Sequence, residues 1–204
     1  MIGVIDYGAG NLGSVMNALK RLSAQARFIT EPEEMIPSSK KNTFEKIIFP
    51  GDGHFGTAMA SLEKSGFAQV IKEWIAACKP FLGICIGLQL LFETSEEAPD
   101  VKGLCLIPGA VRRFPGRKIP QIGWNQTEAN GKSKLFRGLG GNSFFYYIHS
   151  YYADPVCGEV CAAKTDYYVR YCSAVEKGAL SAVQFHPEKS GEAGLALLKN
   201  WLNG

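Results

Sequence analysis

The sequence predicts an α/β fold: a mixed, mostly parallel central sheet flanked by helices, with antiparallel strands added. Three observations predict it. Up to Glu93, short apolar strands alternate with amphipathic helices, the pattern of a doubly wound parallel sheet. After Glu93 the chain turns into short strands broken by Gly, Pro, Asn and Asp, with no helix of note before residues 192–202. No linker, repeat or low-complexity run interrupts this, so the 204 residues read as one domain, 1–204.

Taken in order, residues 2–6 read as a strand and 12–22 as a helix with Leu12, Val15, Met16, Leu19 and Leu22 on one side. Residues 28–30 are a second short strand, followed by a Pro-, Ser- and Lys-bearing loop through Asn42. A third strand, 46–49, opens into Pro50-Gly51-Asp52-Gly53 before a helix near 56–64. Residues 67–78 are strongly amphipathic, with Val70, Ile71, Trp74, Ile75 and Cys78 on the apolar face. A buried strand over 80–84 then runs into a helix over 87–92. The later strands are expected at 104–107, 111–114, 119–127, 143–152, 160–165, 169–175 and 180–186. Ala193, Leu195, Ala196, Leu198 and Leu202 of the last helix cover the sheet again.

Composition narrows the function. Hydrophobic content of 46% and charged content of 20% are ordinary for a soluble globular protein. A net charge of +3 without a basic run argues against nucleic acid as a partner. No apolar stretch has membrane-spanning length, and Met1 leads straight into a strand rather than a signal peptide, so no membrane partner is expected. The six cysteines (78, 85, 105, 157, 161 and 172) form no C-x-x-C pair. Cys157 and Cys161 are four apart with no histidine nearby, so no metal site is expected; reduced thiols in a cytoplasm is the economical reading.

The chemistry concentrates at Cys85, which stands between strand and helix in a Gly83-x-Cys85-x-Gly87 frame. This is the thiol counterpart of a nucleophile elbow, a turn so tight that flanking side chains would collide. The helix N-terminus behind it favours a thiolate. A buried core cysteine is the plain alternative. A hundred residues on, His186 and Glu188 end an apolar strand, where period-two geometry puts both on one face. Pro187 between them marks the strand's end. A thiol nucleophile needs a base, and the base needs a group that fixes its tautomer. Singly, the two are a structural histidine and a solvated carboxylate; with Cys85 they make a nucleophile–base–orienter set. Gly51 and Gly53 let backbone N–H groups converge on an anion, or simply make a turn.

Two further stretches have two readings each. Gly8-Ala9-Gly10-Asn11-Leu12-Gly13 matches G-x-G-x-x-G between a strand and a helix, with Glu31 farther on. That is either a dinucleotide fingerprint or a tight turn packed against something else; Asp6 beside a pyrophosphate disfavours the first. Residues 144–152, an aromatic run, fit a core strand, while His149 and Ser150 near its end suggest a pocket wall.

At these residues a resemblance is plain. Gly83-Ile84-Cys85-Ile86-Gly87-Leu88-Gln89 and Gln184-Phe185-His186-Pro187-Glu188-Lys189-Ser190-Gly191 are similar to the nucleophile and base segments of the class I glutamine amidotransferases. The likeness runs from Ile5 to Gly191, nearly the whole chain. It implies Cys85, His186 and Glu188 as catalytic residues, with Gly51, Asp52 and Ile86 forming the oxyanion site. It implies Gly53, Gln89, His149, Ser150 and Tyr151 as glutamine-binding residues, and no metal or organic cofactor.

Asp6-Tyr7-Gly8-Ala9-Gly10-Asn11-Leu12, Ile122-Gly123-Trp124-Asn125 and residues 146–151 are similar to the members that serve histidine biosynthesis. That likeness implies a heterodimer with a (β/α)₈-barrel cyclase that receives the ammonia, and a chain nearly silent alone. Asn11, Trp124 and Lys189 are then interface residues, and the 8–13 loop faces the partner rather than a dinucleotide. Two positions depart from the family's pattern. Asp52 stands where valine is usual in Pro-Gly-Val-Gly, and its side chain is expected to face away from the oxyanion. Gln121 stands where histidine is common, and a difference in interface detail is expected there. The alternatives are a glutaminase serving another ammonia acceptor, a non-catalytic partner-binding module, and a free-standing cysteine hydrolase.

Overall fold

In the first strands, neighbouring apolar residues point to opposite faces and both faces are buried. Ile5, Ile47 and Phe81 pack one way; Val4, Ile48 and Leu82 pack the other. The computed structural model describes residues 1–8, 10–36 and 43–204. Ala9 of the glycine loop and residues 37–42 of the predicted Pro-, Ser- and Lys-bearing loop lie outside the described residues.

The strands are β1 Ile2–Ile5, β2 Ala26–Ile29, β3 Lys46–Gly51, β4 Phe81–Cys85, β5 Thr94–Ser95 and β6 Gly109–Arg113. They continue with β7 Gln121–Ala129, β8 Asn142–His149, β9 Tyr151–Pro155, β10 Cys161–Tyr167, β11 Val169–Lys177 and β12 Leu180–Val183. The helices are α1 Leu12–Arg21, α2 Phe55–Ser65, α3 Phe67–Ala76, α4 Ile86–Gln89 and α5 Gly191–Asn203.

The sheet runs β2-β1-β3-β4-β12-β11-β10-β7-β8, with β5, β6 and β9 joined to it through β11. The stretch β2-β1-β3-β4-β12 is parallel. Beyond it, β11, β10, β7 and β8 pair antiparallel. The face bearing Ile47 and Phe81 is covered by Phe55, Leu62, Phe67 and Trp74 of α2 and α3. The opposite face is covered by Val15 and Leu19 of α1 and Leu197, Leu198 and Trp201 of α5. The expected fold class is the observed one.

Four differences have physical reasons. Residues 104–107 form no strand: the N–H groups of Leu104 and Ile107 bond to the carbonyls of Leu90 and Leu91, a local clasp that buries the same side chains. The expected 143–152 strand is two, β8 and β9, broken at Ser150, with β9 leaving to pair with β6. The 87–92 helix is the single turn α4. The last strand stops at Val183: Gln184 N–H still bonds to Ser173 of β11, but His186 N–H turns to the Tyr146 carbonyl of β8.

Candidate active site

Cys85 ends β4 at the centre of the parallel sheet, with β3 on one side and β12 on the other. Its φ of 56° lies in the left-handed region, a strained setting for a side-chain-bearing residue and the turn an elbow needs. The flanking glycines are required by close approach. A Cβ on Gly83 would lie 2.7 Å from the Gly87 carbonyl oxygen, and one on Gly87 would overlap the Phe49 carbonyl oxygen. Cys85 opens into a cleft of about 320 Å³.

His186 is 4% exposed, and its Nδ1 lies 2.8 Å from Glu188 Oε1. The two meet for a reason other than the expected one. They do not share a strand face; a 3-10 turn, Pro187–Lys189, folds Glu188 back against the ring. Burial disfavours the charged ring, but the Cys85 sulfur and the Glu188 carboxylate outweigh it and raise the His186 pKa from 6.5 to about 10. The other ring nitrogen, Nε2, is buried with no hydrogen-bond partner, while the Cys85 sulfur is close enough to the ring to favour its charged form. This order, thiol then imidazole then carboxylate, is the one thiol chemistry uses.

Gly51 pairs with Cys85 across β3 and β4 and is buried, packed by Ile86 and the Tyr7 hydroxyl. Asp52 and Gly53 are exposed and line the cleft. The Asp52 carboxylate accepts from the Gly10 N–H at 3.0 Å, so its side chain leans toward the 8–13 loop. Gly8 N–H is likewise taken by Asp6 at 3.1 Å. Two carboxylates taking these N–H groups compete with any phosphate for them, which counts against the dinucleotide reading. Ile86 opens α4 directly behind the sulfur and lines the cleft.

The five residues expected to bind substrate, Gly53, Gln89, His149, Ser150 and Tyr151, all line the cleft. Gln89 is 3% exposed, and its amide nitrogen donates to the Tyr151 carbonyl and to Gln184 Oε1, each at 3.0 Å. Both its N–H bonds are therefore used, and only its oxygen is left for a ligand. Asn11 is exposed and caps α1, Trp124 is 56% exposed, and Lys189 is exposed at the cleft rim.

Sequence reasoning missed five residues here, Pro120 of the cleft lining among them. Gln184 is fully buried and its amide nitrogen lies 3.8 Å from Cys85 Sγ. A glutamine two residues before the histidine, in an otherwise apolar strand, was the available signal. Glu97 lines the cleft while accepting from the Phe55 N–H at 2.7 Å, and Ile148 lines it from β8. Tyr7 holds a buried hydroxyl with no partner, and burial, Asp52 and Cys85 together push its pKa above 10.

Residues 3–203 match the family described as glutamine amidotransferase class-I. The imidazole glycerol phosphate synthase subunit HisH of Methanothermobacter thermautotrophicus is 45% identical over 203 residues, spanning 99% of this chain and 98% of that protein. The subunit of the same name from Deinococcus radiodurans is 46% identical over 201 residues, spanning 97% and 91%. A crystal structure of glutamine amidotransferase matches with a TM-score of 0.76 at 21% identity, over 99% of this chain and 97% of that one, a likeness of fold. The chain belongs to the class-I glutamine amidotransferase family.

Proposed function

We propose that this chain is the glutaminase subunit of an imidazole glycerol phosphate synthase in histidine biosynthesis. The observation that carries the reading is the buried Cys85, His186 and Glu188 set at a cleft whose relatives bear that name. Cys85 attacks the glutamine carboxamide carbon, its proton passing to His186. The tetrahedral oxyanion is met by the N–H of Ile86 and of the 51–53 segment. His186, held by Glu188, then protonates the departing nitrogen, which leaves as ammonia. Water, deprotonated by His186, attacks the glutamyl thioester and releases glutamate and the free thiol. Glutamine and water give glutamate and ammonia, with no group consumed.

Ammonia released to water is lost to protonation, so the reading includes a cyclase subunit that covers the cleft and receives it. A (β/α)₈ barrel is the partner fold this reading adopts, with heterodimeric assembly in the cytoplasm and residues 1–204 acting as a single domain. Supporting it is an apolar face beside the cleft: Ile122 and Ile148 are cross-strand partners 61% and 42% exposed, with Trp124 and Phe144 on the same face. Among the described residues no helix is long and apolar enough to cross a membrane.

The test is glutamine turnover by the pure chain, alone and then with the cyclase subunit and its nucleotide ligand. Turnover should rise by orders of magnitude on adding both and vanish in Cys85→Ala. High activity alone would point to a free hydrolase, and none under any condition to a binding module. Rescue of a histidine auxotroph by the pair identifies the ammonia acceptor.

A further inference from the structure

Gln121 does not alter a surface, as its position in the sequence suggested. It is 3% exposed, and its side-chain oxygen lies 3.0 Å from the Tyr171 hydroxyl. In that orientation its amide nitrogen is buried without a partner, an arrangement folded proteins avoid. A half-turn of the amide exchanges the two atoms at no cost in shape and leaves the oxygen, rather than the nitrogen, unpaired at that buried position, the less costly of the two. The surrounding bonds decide which orientation holds.

His149 Nδ1 lies 2.7 Å from the Tyr151 carbonyl oxygen, which only accepts, so Nδ1 carries a hydrogen. Burial lowers the His149 pKa from 6.5 to about 4, so the ring is neutral at pH 7 and Nε2 is an acceptor. Nε2 lies 3.2 Å from the Tyr171 hydroxyl. Burial also pushes the Tyr171 phenol well above its ordinary pKa, so it keeps its proton. That single proton must go to His149. The Tyr171 oxygen is then free to accept, and the turned Gln121 amide donates to it.

We propose that Gln121 and Tyr171 are positioning residues: a one-directional hydrogen-bond chain, Gln121 to Tyr171 to His149 to the Tyr151 carbonyl, holds the wall of the cleft. The wall continues to the sulfur. Gln89 donates to that same Tyr151 carbonyl and to Gln184 Oε1, and the Gln184 amide nitrogen faces Cys85. Both lone pairs of the Tyr151 carbonyl are thus occupied, one from each direction. The one ring proton of His149 is held in the bond to the Tyr151 carbonyl, so His149 acts through Tyr151. The kinetic consequence rests on the glutaminase reading, whereas the proton order does not.

The test begins with ¹⁵N-histidine NMR of the whole chain, which holds three histidines. His149 should be neutral with its proton on Nδ1 and a hydrogen-bonded Nε2. Gln121→Glu keeps the shape of the side chain but cannot donate when ionised, so it draws the Tyr171 proton toward itself and the Nε2 resonance moves to its unbonded position. Tyr171→Phe should give the same shift, and carries the test alone if the first variant does not fold. In complex with the cyclase, KM for glutamine should rise about three- to tenfold in both variants with kcat changed far less. A proton on Nε2, an unmoved resonance, or an unchanged KM in folded variants would overturn the proposal. Absence of turnover in the unaltered protein would sink the glutaminase reading and leave the NMR result to decide the chain.

Discussion

On the base side of the cleft, His186 is buried, bonded to Glu188 at 2.8 Å and backed by the buried Gln184 and Gln89. On the opposite side, Asp52 and Gly53 are exposed at the end of β3, and the bond from the Gly10 N–H to Asp52 ties the segment to the 8–13 loop. The His186–Glu188 side is therefore preset by the core. The 51–53 segment ends at the edge of β3, tied to the 8–13 loop through a single carboxylate.

Removing the preset part should have the largest effect. Glu188→Gln keeps the shape and removes the charge, and should lower kcat for glutamine about 10²- to 10⁴-fold. It also tests the electrostatics. The His186 pKa is raised from 6.5 to about 10, so its contribution to stability is complete below pH 6.5 and is lost as pH climbs toward 10. With Glu188 neutral the folded-state pKa falls, so that loss should still begin near pH 6.5 but end at lower pH and be smaller, as denaturant midpoints measured across this range will show.

The seam between the sides comes next. Gly87→Ala forces a methyl group onto the Phe49 carbonyl oxygen, a backbone atom of β3 that cannot step aside. The expected cost is about 2–4 kcal/mol in chemical denaturation, near the upper end for overpacking. A smaller loss would mean that β3 shifts freely past the elbow. The smallest effect belongs to the edge. Asp52→Ala removes one exposed hydrogen bond and should change stability by about 1 kcal/mol or less. It should alter glutamine turnover without the partner more than with it. Equal changes in both states would mean that the segment is as preset as the base.

The elbow was legible in the sequence because its two glycines stand in a fixed spacing about Cys85, although the atom that forbids a side chain at Gly87 belongs to Phe49 of β3. The base pair was legible as residue types, yet for a mistaken geometric reason: a 3-10 turn, not strand periodicity, brings Glu188 to His186. The parallel strands and the covering helices followed from apolar periodicity. The break at Ser150 and the clasp at 104–107 did not, because each depends on which remote strand or carbonyl the backbone finds. The Gln121 chain was illegible for the same reason. Its partners Tyr171 and His149 come from β11 and β8, and an isolated glutamine before Ile122 gives no sign of them.

β12 lies between β4 and β11, so the strand that delivers Gln184 and His186 is among the last made and among the most central. A ribosome completes Cys85 about a hundred residues before His186. Until β12 inserts, β4 presents an unpaired edge, and long-range pairing of this kind is slow to form. Under the proposed function, the emerging chain during that interval carries a thiol but no means of cleaving glutamine, so ammonia release begins only once the sheet is whole and turnover is itself a report of completed folding.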